Sequence, residues 1–327
     1  MATRNPYYDG PASDHFDGLR FFNPGHPATD RGLGEIMRWK LRETAAPWPK
    51  SVQVTPAKPD LLVDDLRITM VGHATLLIQV AGLNLVTDPV WSDRASPLAC
   101  AGPRRVTAPG IAFDELPPID AVLLSHNHYD HLDIASLKQL EARDRPLIVT
   151  PLGNDAIVRK QMPRARFAVG DWSDRIALGG GVEVYIVPAH HWSARSIGDR
   201  RMALWCGFVV TGANRSVYFA GDTGYGDGQI FRDIGARFPA LDAALIPIGA
   251  YAPRWFMSAQ HTNPDEAVRI LLDLGAKRGL GIHWGSFQLT DEPRDEPVER
   301  LAVALAAHGV DCSRFPAAHP GQRFDFG

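Results

Sequence analysis

Seven residues constrain this chain more than any others: Ser125-His126-Asn127-His128-Tyr129-Asp130-His131. They follow the apolar run Ala121-Val122-Leu123-Leu124, which reads as a buried strand. Four side chains able to hold a metal thus fall within six residues, where a strand gives way to a loop. In this H-x-H-x-D-H spacing, His126 and His128 can converge on one ion, while Asp130 and His131 turn toward a second. Imidazole and carboxylate donors suit zinc, with iron and manganese as the alternatives. A solvated His-rich loop would account for this cluster alone. It would not account for the further ligands downstream, each at the end of a predicted strand.

Those ligands are three. His191 follows the strand-like Val182-Glu183-Val184-Tyr185-Ile186-Val187-Pro188. Its neighbour His190 competes for the role and is expected to stand beside the site. Asp222 follows Val217-Tyr218-Phe219-Ala220, in a Gly221-Asp222-Thr223-Gly224 turn, and His283 follows Leu280-Gly281-Ile282. Singly, Asp222 reads as turn chemistry and His283 as a buried core histidine. Jointly they complete two sets. His126, His128 and His191 would bind one ion, Asp130, His131 and His283 the other, and Asp222 would bridge them. Two divalent cations facing two aspartates and a hydroxide leave the centre cationic, which favours an anionic substrate group.

The rest of the chain supplies the frame. At 327 residues, with 45% hydrophobic and 22% charged, it can bury a sizeable core. Arg67–Val71, Thr75–Val80 and Asn84–Asp88 read as neighbouring strands, and Met202–Val210 as a later one. Ile134–Leu140, Asn154–Lys160, Pro264–Leu274 (with Asn263 as N-cap) and about Pro297–Ala307 read as helices. Strands, then helices alternating with strands, occur twice over. This predicts an α/β fold, an αβ/βα sandwich of two mixed β-sheets with outer helices, over residues 61–327. Residues 1–60 are rich in Pro, Gly and aromatics, with a short helix from Gly34 to Glu43. They have too few apolar residues for their own core and are expected to lie over the main domain.

Charge and cysteine content exclude several classes. With 34 basic and 37 acidic residues the net charge is -3, so no nucleic-acid partner is expected. Cys100, Cys206 and Cys312 are too scattered for a disulfide framework, which fits a reducing compartment. The first residues lack the apolar segment of a signal peptide, and no stretch approaches a membrane-spanning length. The expected location is cytoplasmic, with lipid met only peripherally, at the membrane surface.

On His126, His128, Asp130, His131, His191, Asp222 and His283, the chain resembles the metallo-β-lactamase-fold hydrolases. Further stretches narrow the likeness. Val71-Gly72-His73-Ala74-Thr75, Thr87-Asp88-Pro89-Val90, Pro253-Arg254-Trp255-Phe256-Met257, Gln260-His261 and Ile282-His283-Trp284-Gly285 are similar to the N-acylphosphatidylethanolamine-hydrolysing phospholipase D group. The resemblance implies two zinc ions that activate water against a phosphodiester, releasing phosphatidic acid and an N-acylethanolamine. It implies Asp130, Asp222 and His261 as the residues serving the reaction, His261 near the leaving group. It implies Tyr251, Trp255, Phe256, Met257 and Gln260 along an acyl-chain groove, Arg195 at an anionic headgroup, a membrane-surface substrate and a homodimer. A lactonase or β-lactamase-type hydrolase is the alternative, since the ligand set serves carbonyl and phosphorus chemistry alike.

Overall fold

The computed structural model describes residues 4–27, 29–42, 44–98, 100–196 and 198–326. In chain order the strands are β1 (Leu66–Gly72), β2 (Thr75–Val80), β3 (Leu83–Thr87), β4 (Ala121–Leu123), β5 (Leu147–Pro151), β6 (Arg166–Gly170), β7 (Arg175–Gly179), β8 (Val182–Val187), β9 (Gly207–Gly212), β10 (Arg215–Phe219), β11 (Ala243–Pro247), β12 (Arg278–Ile282) and β13 (Arg323–Asp325). Among the described residues they form a seven-stranded sheet, β13-β1-β2-β3-β4-β5-β6, and a six-stranded one, β12-β11-β10-β9-β8-β7. Both are mixed. β3 to β6 run parallel, as do β10 to β12, and the other pairings are antiparallel.

Period-two alternation sorts the strand residues into layers. Leu76 and Ile78 of β2, Phe208 and Val210 of β9, and Leu245 of β11 share the cluster between the sheets. The alternate residues face outward onto helices. Leu77 and Val122 join the cluster with Leu137 and Leu140 of α2 (Ile134–Arg143, α1 being the earlier Leu33–Arg42) and Val158 of α3 (Asn154–Arg159). Val209, Tyr218 and Ala244 pack with Phe231 of α4 (Gln229–Arg237), with Ile270 of α6 (Pro264–Asp273), and with Leu301 of α7 (Glu296–Ala307); α5 is the short Arg254–Met257. The result is the expected four-layer αβ/βα sandwich. Strands apolar on both faces are what two covered faces require. Phe208 is fully buried between the sheets, and its truncation to Ala would cost about 3–5 kcal/mol.

The N-terminal segment lies against this sandwich at several places, two of them apolar clusters. Phe16 and Phe21 pack with Trp205, Leu204 and Ala189. Farther on, Trp39 of α1 packs with Phe256 and Met257. The expected helix to Glu43 ends at Arg42, and Glu43 lies outside the described residues.

Some elements depart from the sequence reading. The expected strand Met202–Val210 begins only at Gly207. Before it, Leu204 N–H donates to Leu152 O and Cys206 N–H to Ser125 O, so these residues pair with loops at the site and not with a sheet neighbour. β6, β7 and α4 carry no clear apolar run. β7 alternates exposed and half-buried residues at a sheet edge. Helix α6 has the expected Asn263 N-cap, completed as a capping box by Glu266.

Candidate metal centre

The site gathers at one edge of the sandwich, beyond the carboxyl ends of the strands. Asp88 follows β3, His126 to His131 follow β4, His190 and His191 follow β8, Asp222 follows β10, and His283 follows β12. Parallel strands that end together deliver their following residues to one place, the usual ligand position in such sheets.

Two clusters stand back to back. In the first, His126 Nε2 lies 3.0 Å from His128 Nδ1, which lies 3.1 Å from His191 Nε2. In the second, Asp130 Oδ2 lies 3.4 Å from His131 Nε2 and 3.3 Å from His283 Nε2, with the two imidazole nitrogens 3.2 Å apart. Asp222 serves both. Its Oδ2 is 3.6 Å from His191 Nε2, 3.9 Å from His126 Nε2 and 3.2 Å from His131 Nε2, and its Oδ1 is 3.0 Å from His283 Nε2. The structure thus brings together all seven side chains expected to form the centre.

The donor set fits divalent cations. Donors placed tetrahedrally around zinc at roughly 2.0–2.2 Å stand about 3.3–3.6 Å from one another, close to these separations. Asp222 Oδ1 is buried, and its 3.0 Å approach to His283 Nε2 is not aligned as a hydrogen bond, as befits two donors aimed at one cation. The electrostatics of the site favour ionised carboxylates and a neutral first set. Burial alone would raise the Asp222 and Asp130 carboxyls, yet the imidazoles around them hold both well below the usual carboxylate range. Burial also opposes charge on His283, but Asp222 and Asp130 push it up to about 9. Burial holds His128 and His191 down to about 3, as neutral ligands. The clusters are therefore able to bind metal, with carboxylates ionised and imidazoles of the first set neutral.

Two residues that support the centre escaped the sequence reading. Asp88, fully buried, accepts from His131 Nδ1 at 2.6 Å and from Ser125 Oγ at 2.6 Å. Ser125 Oγ is in turn 2.9 Å from His126 Nδ1, so one carboxylate orients an imidazole in each cluster. Its signal was position: Thr87-Asp88-Pro89 ends a strand, as the ligand segments do. His73, in the tight turn between β1 and β2, reaches Asp130 Oδ2 from Nε2 at 2.9 Å. It lies in the Val71–Thr75 stretch that resembles the family, a likeness that assigned it no role.

A cavity of about 420 Å³ opens onto the clusters, lined by His128, Asp130, Asp222 and His261 on one side and by Ile36, Trp39, Phe256 and Met257 on the other. His261 faces it with Nδ1 3.9 Å from Asp222 Oδ2, and burial lowers its pKa to about 3. Gln260 also lines the cavity, while its backbone carbonyl accepts from His191 Nδ1 at 2.9 Å. His190 stands aside, stacked on His26 at 3.8 Å between ring centroids.

Three expected substrate contacts lie elsewhere. Tyr251 is buried away from the cavity, its hydroxyl donating to Glu296 at 2.8 Å. Trp255 points outward, 38% exposed, with the Arg38 guanidinium 5.0 Å above its ring. Arg195 stacks 3.7 Å over Tyr129 and donates to the carbonyls of Asn127 and Leu132, bracing the ligand loop from behind. The cations that do line the cavity are Arg31 and Arg200, the latter 3.5 Å over Trp192.

Comparison with known proteins agrees with this geometry. Residues 83–284 match the model of the β-lactamase superfamily domain. The N-acyl-phosphatidylethanolamine-hydrolyzing phospholipase D 1 of Caenorhabditis elegans is 38% identical over 84% of this chain and 83% of its own length. The mitochondrial N-acyl-phosphatidylethanolamine-hydrolyzing phospholipase D of Saccharomyces cerevisiae is 36% identical over 72% of this chain and 51% of its own. Among solved structures, an isothiocyanate hydrolase from Delia radicum gut bacteria superposes with a TM-score of 0.63 at 23% identity, covering 80% of this chain and 99% of that one. A metallo hydrolase from Ignicoccus hospitalis gives 0.59 at 18%, over 80% and 99%. Among the described residues no helix is long and apolar enough to cross a membrane. The chain belongs to the β-lactamase superfamily, as a metal-dependent hydrolase of the metallo-β-lactamase fold related to the N-acyl-phosphatidylethanolamine-hydrolyzing phospholipases D.

Proposed function

We propose that this protein is a two-cation phosphodiesterase that cleaves N-acylphosphatidylethanolamine or a closely similar phospholipid on the phospholipase D side of the phosphorus. The observation that carries this reading is the apolar cavity opening directly onto the paired clusters. The relatives' names support the choice of lipid. His126, His128 and His191 would hold one zinc ion and Asp130, His131 and His283 the other, with Asp222 between them. Bound there, the ions would supply an acidified water and Lewis-acid stabilisation of the phosphoryl oxygens.

The chain's own residues do the rest. Phe256, Met257, Trp39 and Ile36 offer apolar surface to an acyl chain and exclude water around the reacting phosphorus. Arg31 and Arg200, paired with Glu35 and Asp30, stand at the cavity wall, where an anionic phosphate would compete for their guanidinium groups. His261, at the cavity wall and kept neutral by burial, hydrogen-bonds the departing oxygen through its ring N–H, and the proton given up by the attacking water ends on that alkoxide. The P–O bond to the N-acylethanolamine breaks as the new P–O bond forms, leaving phosphatidic acid. Residues 1–60 act as an extension of the 61–327 hydrolase domain, contributing one wall of the cavity through Ile36 and Trp39.

The test is to incubate zinc-loaded protein with N-acylphosphatidylethanolamine in detergent micelles and quantify N-acylethanolamine by mass spectrometry, with His126→Ala as control. Product that requires both zinc and His126 supports the reading. No product from protein that demonstrably binds two zinc ions overturns the lipid assignment and turns the search to cyclic esters and β-lactams.

A further inference from the structure

We propose that His73 is a positioning residue for the second cation, donating its Nε2 proton to Asp130 Oδ2 and so fixing the direction in which that carboxylate presents itself. The inference rests on the two-cation reading of the centre and concerns a side chain outside the seven ligands.

His73 stands among the ligands of the second set, and its chemistry distinguishes it from them. Three imidazole nitrogens approach Asp130 Oδ2: His73 Nε2 at 2.9 Å, His283 Nε2 at 3.3 Å and His131 Nε2 at 3.4 Å. All four side chains could reach one cation, and the 2.9 Å approach of His73 is also of charge-assisted hydrogen-bond length, so the tautomer and the ligand count decide between the two roles. A neutral imidazole carries one N–H. The other ring nitrogen of His73, Nδ1, is buried with no hydrogen-bond partner among the described residues, so the proton belongs on Nε2, where a carboxylate accepts it. Coordination by His73 would also give the second ion five protein side chains, with Asp130, His131, His283 and Asp222. That would crowd the open position a hydrolytic centre keeps for water or substrate.

The backbone holds His73 to this task. Its φ is +59°, a left-handed conformation that a residue with a Cβ adopts at a cost. Its N–H donates to Ser286 Oγ at 3.1 Å and its carbonyl accepts from the His283 N–H at 2.8 Å. The ring lies over His283, with centroids 3.9 Å apart, and edge-on to Phe287. The turn of one sheet is thereby tied to the ligand-bearing end of the other, and the ring sits behind His283 with only Nε2 on the carboxylate.

The experiment is zinc titration by calorimetry of chelator-treated native protein, His73→Phe and His73→Gln. Both variants meet the same backbone cost at the left-handed position. Phe keeps an aromatic ring over His283 but has no N–H, whereas Gln keeps a donor. Native protein should show two binding events. His73→Phe should keep one at native affinity and weaken the other about 10- to 100-fold, and His73→Gln should restore most of that loss. Native affinity at both sites in His73→Phe overturns the proposal. Equal weakening of both sites, with a matching fall in the melting temperature of the metal-free protein, also overturns it, as a purely structural role would give that result. Native protein that binds no zinc overturns the two-cation reading and this proposal with it.

Should His73→Phe not fold, native protein answers alone. ¹⁵N spectra of the ¹¹³Cd-loaded protein should show His73 protonated at Nε2 and uncoupled to cadmium. Cadmium coupling at His73 Nε2, or a proton on Nδ1 instead, overturns the proposal.

Discussion

The Asp88 carboxylate accepts a hydrogen bond from His131 Nδ1 at 2.6 Å, with both side chains fully buried. That contact fixes the His131 tautomer, leaving the Nε2 lone pair for a cation. Burial raises the Asp88 carboxyl, and His131 and Ser125 work against that rise. Asp88→Asn keeps the size of the side chain but can offer an N–H where His131 needs an acceptor. Zinc affinity should fall about 10- to 100-fold, read by calorimetry, with the tautomer change visible in ¹⁵N histidine spectra. Unchanged zinc affinity in a folded variant would show that Asp88 does not orient the centre.

His261 allows metal binding to be separated from leaving-group departure. It touches the cavity but lies outside the two sets assigned to zinc, with Nδ1 3.9 Å from Asp222 Oδ2. His261→Ala should therefore lower kcat by about 10²- to 10⁴-fold while both zinc ions bind as before. Steady-state kinetics on N-acylphosphatidylethanolamine, together with metal analysis of the same preparation, checks both halves. A loss of zinc with the loss of rate would make His261 a ligand instead.

Much of this was legible in the sequence, for physical reasons. β2 alternates between two packed faces and was readable to the residue. That the seven candidate ligands would gather was readable because each follows an apolar strand, and the structure brings those strand ends together at one edge of the sandwich. Arg195 was misread because its partners, the Tyr129 ring and two carbonyls of the ligand loop, are brought to it only by the tertiary fold. Trp255 and Met257 are two residues apart on a single helical turn, so one faces solvent and the other the cavity. Composition could not divide them. His73 stood in a family-like stretch but was given no role, because its contact with Asp130 joins the β1–β2 turn to the loop after β4, 57 residues on in sequence.

The chelated protein should have a bell-shaped stability profile. His283 is raised to about 9 from its ordinary 6.5. Its contribution is then fully present below about pH 6.5 and is lost as pH rises through about 9, because the folded state binds the extra proton. His128, His191 and His261 are lowered to about 3. The unfolded chain binds their protons first as pH falls below about 6.5, so they destabilise the fold progressively on the acid side. Urea denaturation with chelator should give its highest midpoint near neutrality and lower midpoints at pH 5 and pH 9.5. Zinc competes with protons for these nitrogens and should raise the alkaline arm most. A midpoint independent of pH between 5 and 9.5 would mean that these imidazoles do not titrate with folding.

Arg195 offers a test of position against charge. The family resemblance implied Arg195 at an anionic headgroup, where its removal would raise KM. The structure gives it other partners: the Tyr129 ring at 3.7 Å, the Asn127 carbonyl at 3.2 Å and the Leu132 carbonyl at 2.8 Å. Asn127 and Leu132 flank the segment that carries His128, Asp130 and His131, so Arg195 holds the loop's shape. Arg195→Ala removes the charged donor and should destabilise the protein by about 1.5–3 kcal/mol. The effect should reach kcat through looser ligands, with KM little changed. Arg195→Lys keeps the charge and could serve both carbonyls, which the one nitrogen Nη1 serves here, but it loses the planar group that stacks on Tyr129, so it should rescue only in part. Arg200→Ala, which removes a cavity cation, should show the opposite split, with KM raised more than kcat is lowered. Paired kinetics and melting curves for the three variants decide it: a KM effect in Arg195→Ala with unchanged stability would return Arg195 to the substrate.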